Sequence, residues 1–264
     1  MKDQVVVITG ASSGIGAALA AVVGARGGKP VLAARREAEL GAAAGAAGPD
    51  ALAVPADVTR RADVQRVLDA AVARFGHVDA WVNNAGRGIS RLVTQLTDED
   101  VREMMEANLL SALYGMQVAV AHFRARGRGH LVNVSTMLAR VPFAPIRSAY
   151  AASKAALNVL TASLRGELRA AHPDIHVSSV HPGVVATDFG LRALHGGPDS
   201  RVLPNAQPVE EVAAAIADVI EHPRADVYTR PGARETVAGY YAADDMGAAE
   251  ARFGPPPPGA RGRG

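Results

Sequence analysis

Short apolar runs alternate with longer amphipathic or alanine-rich stretches along most of the chain. The run Val5-Val6-Val7-Ile8 is β-branched and lacks polar alternation, which is typical of a strand buried on both faces of a parallel sheet. Comparable runs predict strands at residues 5–9, 30–34, 52–55, 80–83, 130–135, 176–181 and 226–228, with helices between them. The pattern therefore predicts an α/β fold built on a doubly wound parallel sheet of about seven strands.

One long helix is predicted from about residue 98 to residue 125. Thr97 is its expected N-cap, and the acidic residues at 98–100 suit the positive end of the helix dipole. The glycine-rich piece at residues 41–48, in contrast, indicates a poor helix end that packs loosely.

The chain of 264 residues is long enough for one substantial domain and too short for two comfortable ones. We expect that domain to span residues 1–252, with a Gly- and Pro-rich substrate lid at residues 189–208. Residues 253–264 are rich in Pro, Gly and Arg and predict a disordered tail. Its two arginines either touch a partner or belong to an inert terminus.

Composition narrows the classes of protein that the chain can represent. With 48% hydrophobic residues it can bury a core, and without cysteine it can form no disulfide or thiolate site. A net charge of +2 is too small to indicate a nucleic-acid partner. No basic and apolar leader precedes Val5, and no apolar stretch is long enough to span a membrane. These features predict a cytoplasmic protein that binds neither nucleic acid nor membranes.

Tyr150 and Lys154 stand four residues apart on a predicted helix, so one turn brings them to the same face. A nearby cation lowers the pKa of a tyrosine toward the range in which it can exchange protons. The chain has only three lysines, and arginine holds its proton too firmly for this task. Because an isolated Tyr-x-x-x-Lys more often marks a half-exposed ring beside a solvated charge, the pair needs support from elsewhere.

A glycine-rich turn follows the first predicted strand. Gly10, Gly14 and Gly16 lie in Thr-Gly-Ala-Ser-Ser-Gly-Ile-Gly, and an alanine-rich helix follows. This order of strand, turn and helix points backbone N–H groups and a helix N-terminus at a pyrophosphate. An ordinary tight turn between a strand and a helix is the alternative reading.

Together with three further motifs, these residues resemble the single-domain form of the short-chain dehydrogenase/reductase family, over about residues 1–228. The five motifs, in order, are Thr9 to Gly16, Asn83-Asn84-Ala85-Gly86, Asn108, Tyr150 with Lys154, and Pro182-Gly183 followed by Thr187. The resemblance implies a Rossmann-type sheet and a nicotinamide dinucleotide cofactor. It also implies a small-molecule carbonyl or alcohol substrate and a homodimer or homotetramer.

The resemblance also implies which residues hold the cofactor. They are Gly10, Ser12, Ser13, Gly14, Ile15, Gly16, Arg35, Arg36, Asp57, Val58, Asn83, Ala85, Gly86, Tyr150, Lys154, Pro182, Gly183, Val185 and Thr187. Ala34 replaces the acidic residue that would bind the adenosine ribose. Arg35 resembles the arginine with which NADP-preferring relatives bind the 2′-phosphate, whereas Arg36 either assists or is solvated. We therefore expect NADP(H) to be preferred, with NAD(H) as the alternative.

Four catalytic residues follow from the same resemblance. Tyr150 would exchange a proton with the substrate oxygen, and Lys154 would hold the nicotinamide ribose and lower the tyrosine pKa. Asn108 would help to position a water that resupplies the proton. The family's substrate-binding serine corresponds to Thr136, which keeps the hydroxyl, and Ser135 is the fallback because side chains alternate along a strand.

Other interpretations remain open at this point. A nucleotide-binding sensor or scaffold with the same fold would be expected to lose the tyrosine or the lysine, and both are present. A lyase or epimerase would need a larger C-terminal domain.

No metal site is expected, since His172, His176 and His181 lack ligand spacing. Apolar residues suggest a pocket wall or core packing, namely Leu138, Val141, Phe143, Val184, Val185 and Phe189. The sequence does not identify the substrate.

Overall fold

The protein is described here by a computed structural model that covers residues 1–252. The predicted disordered tail at 253–264 lies outside the described residues. Seven strands form one sheet: β1 Val5–Thr9, β2 Lys29–Ala34, β3 Leu52–Pro55, β4 Ala80–Asn83, β5 Gly129–Val134, β6 Ile175–His181 and β7 Asp226–Tyr228. All neighbouring pairs are parallel, in the order β3-β2-β1-β4-β5-β6-β7. The structure confirms the predicted doubly wound sheet, with strand ends shifted by one residue at most.

Helices cover both faces of the sheet. They are α1 Gly14–Ala25, α2 Glu37–Ala47, α3 Arg61–Phe75, α4 Asp98–Met105, α5 Ser111–Arg126, α6 Ser148–Leu168, α7 Val209–Glu221, α8 Ala233–Tyr241 and α9 Met246–Ala251. One hydrophobic core lies between the sheet and α1, α2 and α7, and includes Leu19, Leu32 and Ile216. The other lies against α3, α5 and α6, and includes Trp81 and Phe123.

The predicted long helix is present, with an irregularity that the sequence did not reveal. Thr97 caps α4 through its hydroxyl, which accepts from the Asp100 amide, while the Asp100 carboxylate accepts from the Thr97 amide. A π-helical turn at Glu106–Leu110 joins α4 to α5. Such a turn inserts one extra residue into an α-helix and often occurs at functional sites.

Two regions depart from the sequence prediction. The glycine-rich piece does not end the helix early, because α2 continues to Ala47 with Leu40 and Ala47 buried against the core. Gly41 and Gly45 face open space, in agreement with loose packing. Beyond β7, α8 and α9 were not predicted; Tyr240 and Ala249 pack on Val141.

Within residues 1–252, no helix combines the length and apolar character needed to cross a membrane.

Candidate active site

A cleft of about 830 Å³ opens at the carboxyl edge of the sheet, where several strand ends and the loops after them meet. Most of the residues predicted to bind cofactor or substrate line it: Gly10, Ser12, Ser13, Gly14, Ile15, Arg35, Arg36, Asp57, Val58, Ala85, Gly86, Ser135, Thr136, Tyr150, Lys154, Pro182, Gly183, Val185 and Thr187. Gly16, Asn83 and Asn108 do not line the cleft and support it from behind. Residues separated by most of the chain are therefore brought to one surface.

The glycine turn at one end of the cleft needs residues without side chains. Gly10 has a φ of +67°, and a Cβ on it would lie 2.7 Å from the Cα of Ala85. Gly14 has a φ of +54°, and its Cβ would lie 3.3 Å from the Thr187 side chain across the cleft. Larger residues would strain the turn and fill the space above it.

The N-terminus of α1 is left open toward the cleft. Ser13 holds the N-cap position but its side chain caps no backbone amide, and no acidic residue occupies the first turn. The Ser13 hydroxyl instead accepts from the guanidinium of Arg36. Free amides and a helix dipole make this end of the cleft suitable for an anion such as a pyrophosphate.

The two arginines after β2 differ in their surroundings. Arg36 lies across the glycine turn, with Nη2 2.8 Å from the hydroxyls of both Ser12 and Ser13 and Nη1 3.0 Å from Glu39. Arg35 is exposed at the cleft and has no ion pair among residues 1–252. Arg36 is therefore committed to the turn itself, while the charge of Arg35 is available to a ligand.

Asn83 does not reach the cleft, because its side chain points into the helix layer on the same face of β4 as Trp81. Its amide oxygen accepts from Trp81 Nε1 at 2.8 Å, and its amide nitrogen donates to Asn133 at 2.9 Å. The next residue, Asn84, lines the cleft and donates to the Thr9 carbonyl at 2.9 Å. The period of two along a strand was the signal that could have distinguished these two asparagines.

Asn108 lies fully buried in the π turn and holds the loop that follows β4. Its Oδ1 accepts from the Arg87 amide at 2.9 Å, and its Nδ2 donates to the Arg87 carbonyl at 3.0 Å. A Cβ on Gly86 would lie 2.7 Å from Asn108 Oδ1 and 3.5 Å from Lys154 Nζ. The Asn108 side chain is thus held by the Arg87 backbone and by Met104 Sδ, and none of these hydrogen bonds is directed to the cleft.

Tyr150 and Thr136 meet on one wall of the cleft. The Thr136 hydroxyl lies beside the Tyr150 phenol, and it accepts a hydrogen bond from the Leu138 amide at 3.3 Å. Burial raises the pKa of Tyr150 to about 12, and the Thr136 hydroxyl and the positive charge of Arg147 oppose that rise. The ring of Phe189 packs beside the phenol, with ring centres 5.5 Å apart. The phenol is therefore protonated at neutral pH and contacts a second hydroxyl.

Ser135, the fallback residue, lies next to this pair. Its amide donates to the Val180 carbonyl at 2.8 Å, and its hydroxyl is buried with no hydrogen-bond partner in the described part of the chain. Both residues line the cleft, but the hydroxyl that acts on the pKa of the Tyr150 phenol belongs to Thr136. This geometry favours Thr136 for a joint contact with a substrate oxygen.

Lys154 is almost fully buried, and its ammonium donates to the Val134 carbonyl at 2.8 Å. Burial lowers the pKa of Lys154 to about 8. The sequence argument expected this cation to lower the tyrosine pKa. In the structure the pKa of Tyr150 responds to burial, Thr136 and Arg147, because the ammonium is directed to the carbonyl end of β5.

The predicted lid segment, residues 189–208, borders the cleft, and near its end Gln207 pairs with Val185 in an isolated bridge. Leu194 pairs with Ile89 in an isolated bridge, and His195 Nε2 lies 2.7 Å from Asp100 Oδ1. Hydrogen bonds from the Thr97 amide, His195 and Arg91 hold the pKa of Asp100 well below its usual range. The segment is thus tied to the start of α4 through a buried carboxylate.

The cleft wall around Tyr150 is largely apolar, and Arg147 is a charged residue within it. Five of the six apolar candidates line the cleft: Leu138, Phe143, Val184, Val185 and Phe189. Val141 packs instead against the C-terminal helices. The sequence argument missed Arg147, a half-buried cation in the cleft wall whose Nη1 donates to the Ile89 carbonyl at 3.0 Å. Its place in the short segment before Tyr150 was the only signal.

Metal ligation finds no support in the described residues. Residues 1–252 contain no group of three or more His, Cys, Asp or Glu side chains arranged to hold a metal ion. His181 is buried at the end of β6, where it stacks on Tyr228 with ring centres 5.0 Å apart and lies 3.3 Å from Asp226.

Comparison with known proteins gives a consistent result. The family model described as short chain dehydrogenase matches residues 4–194. The uncharacterized oxidoreductase YxnA of Bacillus subtilis is 38% identical over 235 residues, which cover 86% of this chain and 65% of that relative. This chain therefore spans less than two thirds of the length of YxnA.

Solved structures with the same architecture contain nicotinamide dinucleotides. A short chain dehydrogenase/reductase from Burkholderia phymatum in complex with NAD is 27% identical, with a TM-score of 0.81, and covers 90% of this chain and 92% of its own. An alcohol dehydrogenase from the archaeon Thermococcus sibiricus complexed with 5-hydroxy-NADP is 26% identical, with a TM-score of 0.74, covering 86% and 96%.

Proposed function

Because the chain belongs to the short-chain dehydrogenase family, we propose that it is an NADP(H)-dependent oxidoreductase that interconverts a carbonyl compound and a secondary alcohol. Tyr150 is its general acid and base. The observation that carries the proposal is the contact between the Tyr150 phenol and the Thr136 hydroxyl, in a cleft that also contains an anion-binding helix terminus. A proton donor and a dinucleotide site thus share one cavity.

The residues at the glycine turn fit a dinucleotide. The positive φ values of Gly10 and Gly14 and the narrow gap to Thr187 leave a cradle that a Cβ would fill. The open N-terminus of α1 supplies backbone donors for a pyrophosphate. Asp57 and Val58 line the cleft beyond β3, where an adenine would lie.

Selectivity for NADP(H) is assigned to Arg35. The end of β2 carries Ala34 in place of an acidic residue, so nothing there repels a 2′-phosphate. Arg35 is exposed at the cleft without an ion pair in the described chain, whereas Arg36 is held by Ser12 and Ser13. A planar guanidinium that lacks a carboxylate partner suits a bidentate contact with phosphate.

The chemistry of the proposed reaction is divided between cofactor and protein. Bound NADPH supplies a hydride to the carbonyl carbon. Tyr150 donates its proton to the carbonyl oxygen, and Thr136 donates a hydrogen bond to the same oxygen as negative charge develops there. Lys154, whose ammonium donates to the Val134 carbonyl in the structure, would hold the nicotinamide ribose hydroxyls. Asn108 keeps the loop after β4 in place behind Lys154.

The tyrosine pKa bears on the direction of the reaction. With a pKa of about 12, Tyr150 is an acid ready to donate, as carbonyl reduction requires. Alcohol oxidation needs the phenolate, which at pH 7 would be present in roughly one molecule in 10⁵. The protein alone is therefore better prepared for reduction, and oxidation depends on added positive charge near the phenol.

The test is NADPH consumption, followed by absorbance with a panel of ketones and aldehydes. Tyr150→Phe should reduce turnover by about 10²- to 10⁴-fold while NADPH still binds. Turnover of the phenylalanine variant within tenfold of the parent would remove Tyr150 from the mechanism. Tight NADPH binding without turnover of any compound would favour a nucleotide-binding sensor.

Two further expectations remain predictions. Light scattering after gel filtration tests the expected homodimer or homotetramer. Fractionation of the host cells tests the expected cytoplasmic location.

A further inference from the structure

Arginines are the prominent charges along the cleft, and most of them are neutralised by carboxylates. The paired ones are Arg36 with Glu39, Arg87 with Glu103, and Arg192 with Asp188. Within residues 1–252, Arg35 and Arg147 line the cleft without an ion pair. Since Arg35 is assigned to the cofactor, Arg147 is left as a cation whose partner the protein does not supply.

Arg147 lies at the reacting end of the cleft. It directly precedes α6 and stands three residues before Tyr150, one helical turn away. Its positive charge acts on the Tyr150 phenol, and a Cβ on Gly88 or Gly197 would lie about 3 Å from its guanidinium, at 3.2 Å and 2.9 Å respectively. A ligand group that reached Arg147 would therefore belong to the same molecule as the reacting carbonyl.

A purely structural role would use only one of the hydrogen-bond donors of the Arg147 guanidinium. The single hydrogen bond from Nη1 to the Ile89 carbonyl needs one donor, which a neutral glutamine could also provide. Burial lowers the pKa of Arg147, so the protein bears a desolvation cost for the charged form. A half-buried guanidinium without a counter-ion gains most when a ligand brings a carboxylate.

We infer that the substrate is an oxo acid, whose carboxylate pairs with Arg147 while its ketone oxygen lies between Tyr150 and Thr136. The apolar part of the substrate packs against Phe189 and Leu138. The inference rests on the proposed function and narrows its substrate class. In the reaction the ketone carbon gains a hydride from NADPH, which becomes NADP⁺, and the oxygen gains the Tyr150 proton. The carboxylate is unchanged, and the product is a hydroxy acid.

The experiment compares straight-chain 2-, 3- and 4-oxo acids with their methyl esters. Each ester keeps the carbonyl and removes the charge, so the ratio of the two kcat/KM values isolates the anionic contact. We expect the parent protein to prefer an acid over its ester. In Arg147→Gln, kcat/KM for that acid should fall about 10- to 100-fold further than kcat/KM for the ester, mainly through KM. Any effect of the lost charge on Tyr150 is common to acid and ester and cancels in their ratio.

Two further variants separate charge from structure. Arg147→Lys should retain most of the preference for the acid, because it keeps the charge. Arg102→Gln removes an exposed charge on α4 that does not line the cleft, and should leave the ratio as in the parent. Turnover of the ester in each variant shows that the protein is folded.

Three outcomes would count against the inference. Equal losses for acid and ester in Arg147→Gln would make Arg147 a residue that positions the loop at Ile89. Turnover of neutral carbonyl compounds in preference to every oxo acid would overturn the inference and leave the proposed function intact. Absence of NADPH consumption with the whole panel would overturn the proposed function and the inference with it.

Discussion

Gly115 offers a sharp test of the packing beneath the cleft. It lies within α5, where a Cβ would come within 2.1 Å of Asn83 Oδ1 and 2.7 Å of Trp81 Nε1. Carbon and oxygen need about 3.2 Å when they are not bonded, so Gly115→Ala must displace the Asn83 amide by about 1 Å. That amide is held by Trp81 Nε1 and by Asn133, and all three side chains are buried.

The free energy of unfolding should fall by about 3 kcal/mol in Gly115→Ala. Overpacking of a core costs about 1 to 3 kcal/mol, and an indole N–H left without its partner costs about as much again. The better helix propensity of alanine returns about 1 kcal/mol. For a domain of this size, a loss of about 3 kcal/mol lowers Tm by about 6 to 12 °C.

The assay is urea unfolding followed by the fluorescence of Trp81, the only tryptophan in the chain and fully buried. Gly166→Ala is the matched control, because Gly166 also lies in a helix and a Cβ there meets nothing within 4 Å. The control should gain up to about 1 kcal/mol. If Gly115→Ala were as stable as the parent, the close approach of α5 to Asn83 would be wrong.

The remaining predictions concern catalysis, cofactor choice and pH. Thr136→Val keeps the shape of the side chain and removes the hydroxyl beside Tyr150, so kcat should fall on the order of 10²-fold. Ser135→Ala should lower kcat far less. Steady-state kinetics with the opposite order would assign the substrate contact to Ser135. Arg35→Ala should weaken NADPH binding by about 10- to 100-fold and scarcely change NADH binding, as measured by calorimetry; a parent protein with equal affinity for both cofactors would refute the assignment. Burial lowers the pKa of His130 to about 4 from 6.5, so the native state binds fewer protons than the unfolded state between these values. The free energy of unfolding should therefore decrease by about 3 kcal/mol as pH falls from about 6.5 to about 4. Because burial also lowers the pKa of His122 and of His181, every variant should lose some stability over this range. Urea unfolding should show a loss about 3 kcal/mol larger in the parent and in the exposed control His222→Gln than in His130→Gln; equal losses in all three would contradict the assignment to His130.

Regular features were predictable because they follow from local chemistry. Short apolar runs predicted the strands to within one residue, and Thr97 was recognisable as an N-cap from the acidic residues after it. The cleft residues near glycine turns and strand ends were predictable from a family resemblance, since those motifs are continuous in sequence. The contacts between distant segments were not, because no local pattern encodes them.

Arg36 and Arg147 illustrate that limit. The sequence around neither arginine shows its partner, and only the folded chain distinguishes the one held by Ser12 and Ser13 from the one without a carboxylate partner in the described residues. The C-terminal helices were missed for a related reason: they are stabilised by packing on Val141, which lies about 100 positions before Tyr240.

The π turn at Glu106–Leu110 makes the length of this part of the chain matter as much as its composition. The five residues of the turn take about the rotation that four residues take in an α-helix, so α4 and α5 keep the orientation of one continuous helix around an extra residue. Asp100 on α4 therefore stays within reach of His195 and Arg91, while the widened turn holds the amide of Asn108 against the Arg87 backbone. A homologous chain with one residue fewer at this turn should keep the anchor of residues 189–208 on α4 and lose the contact between the turn and the loop after β4, even where every side chain in the cleft is identical.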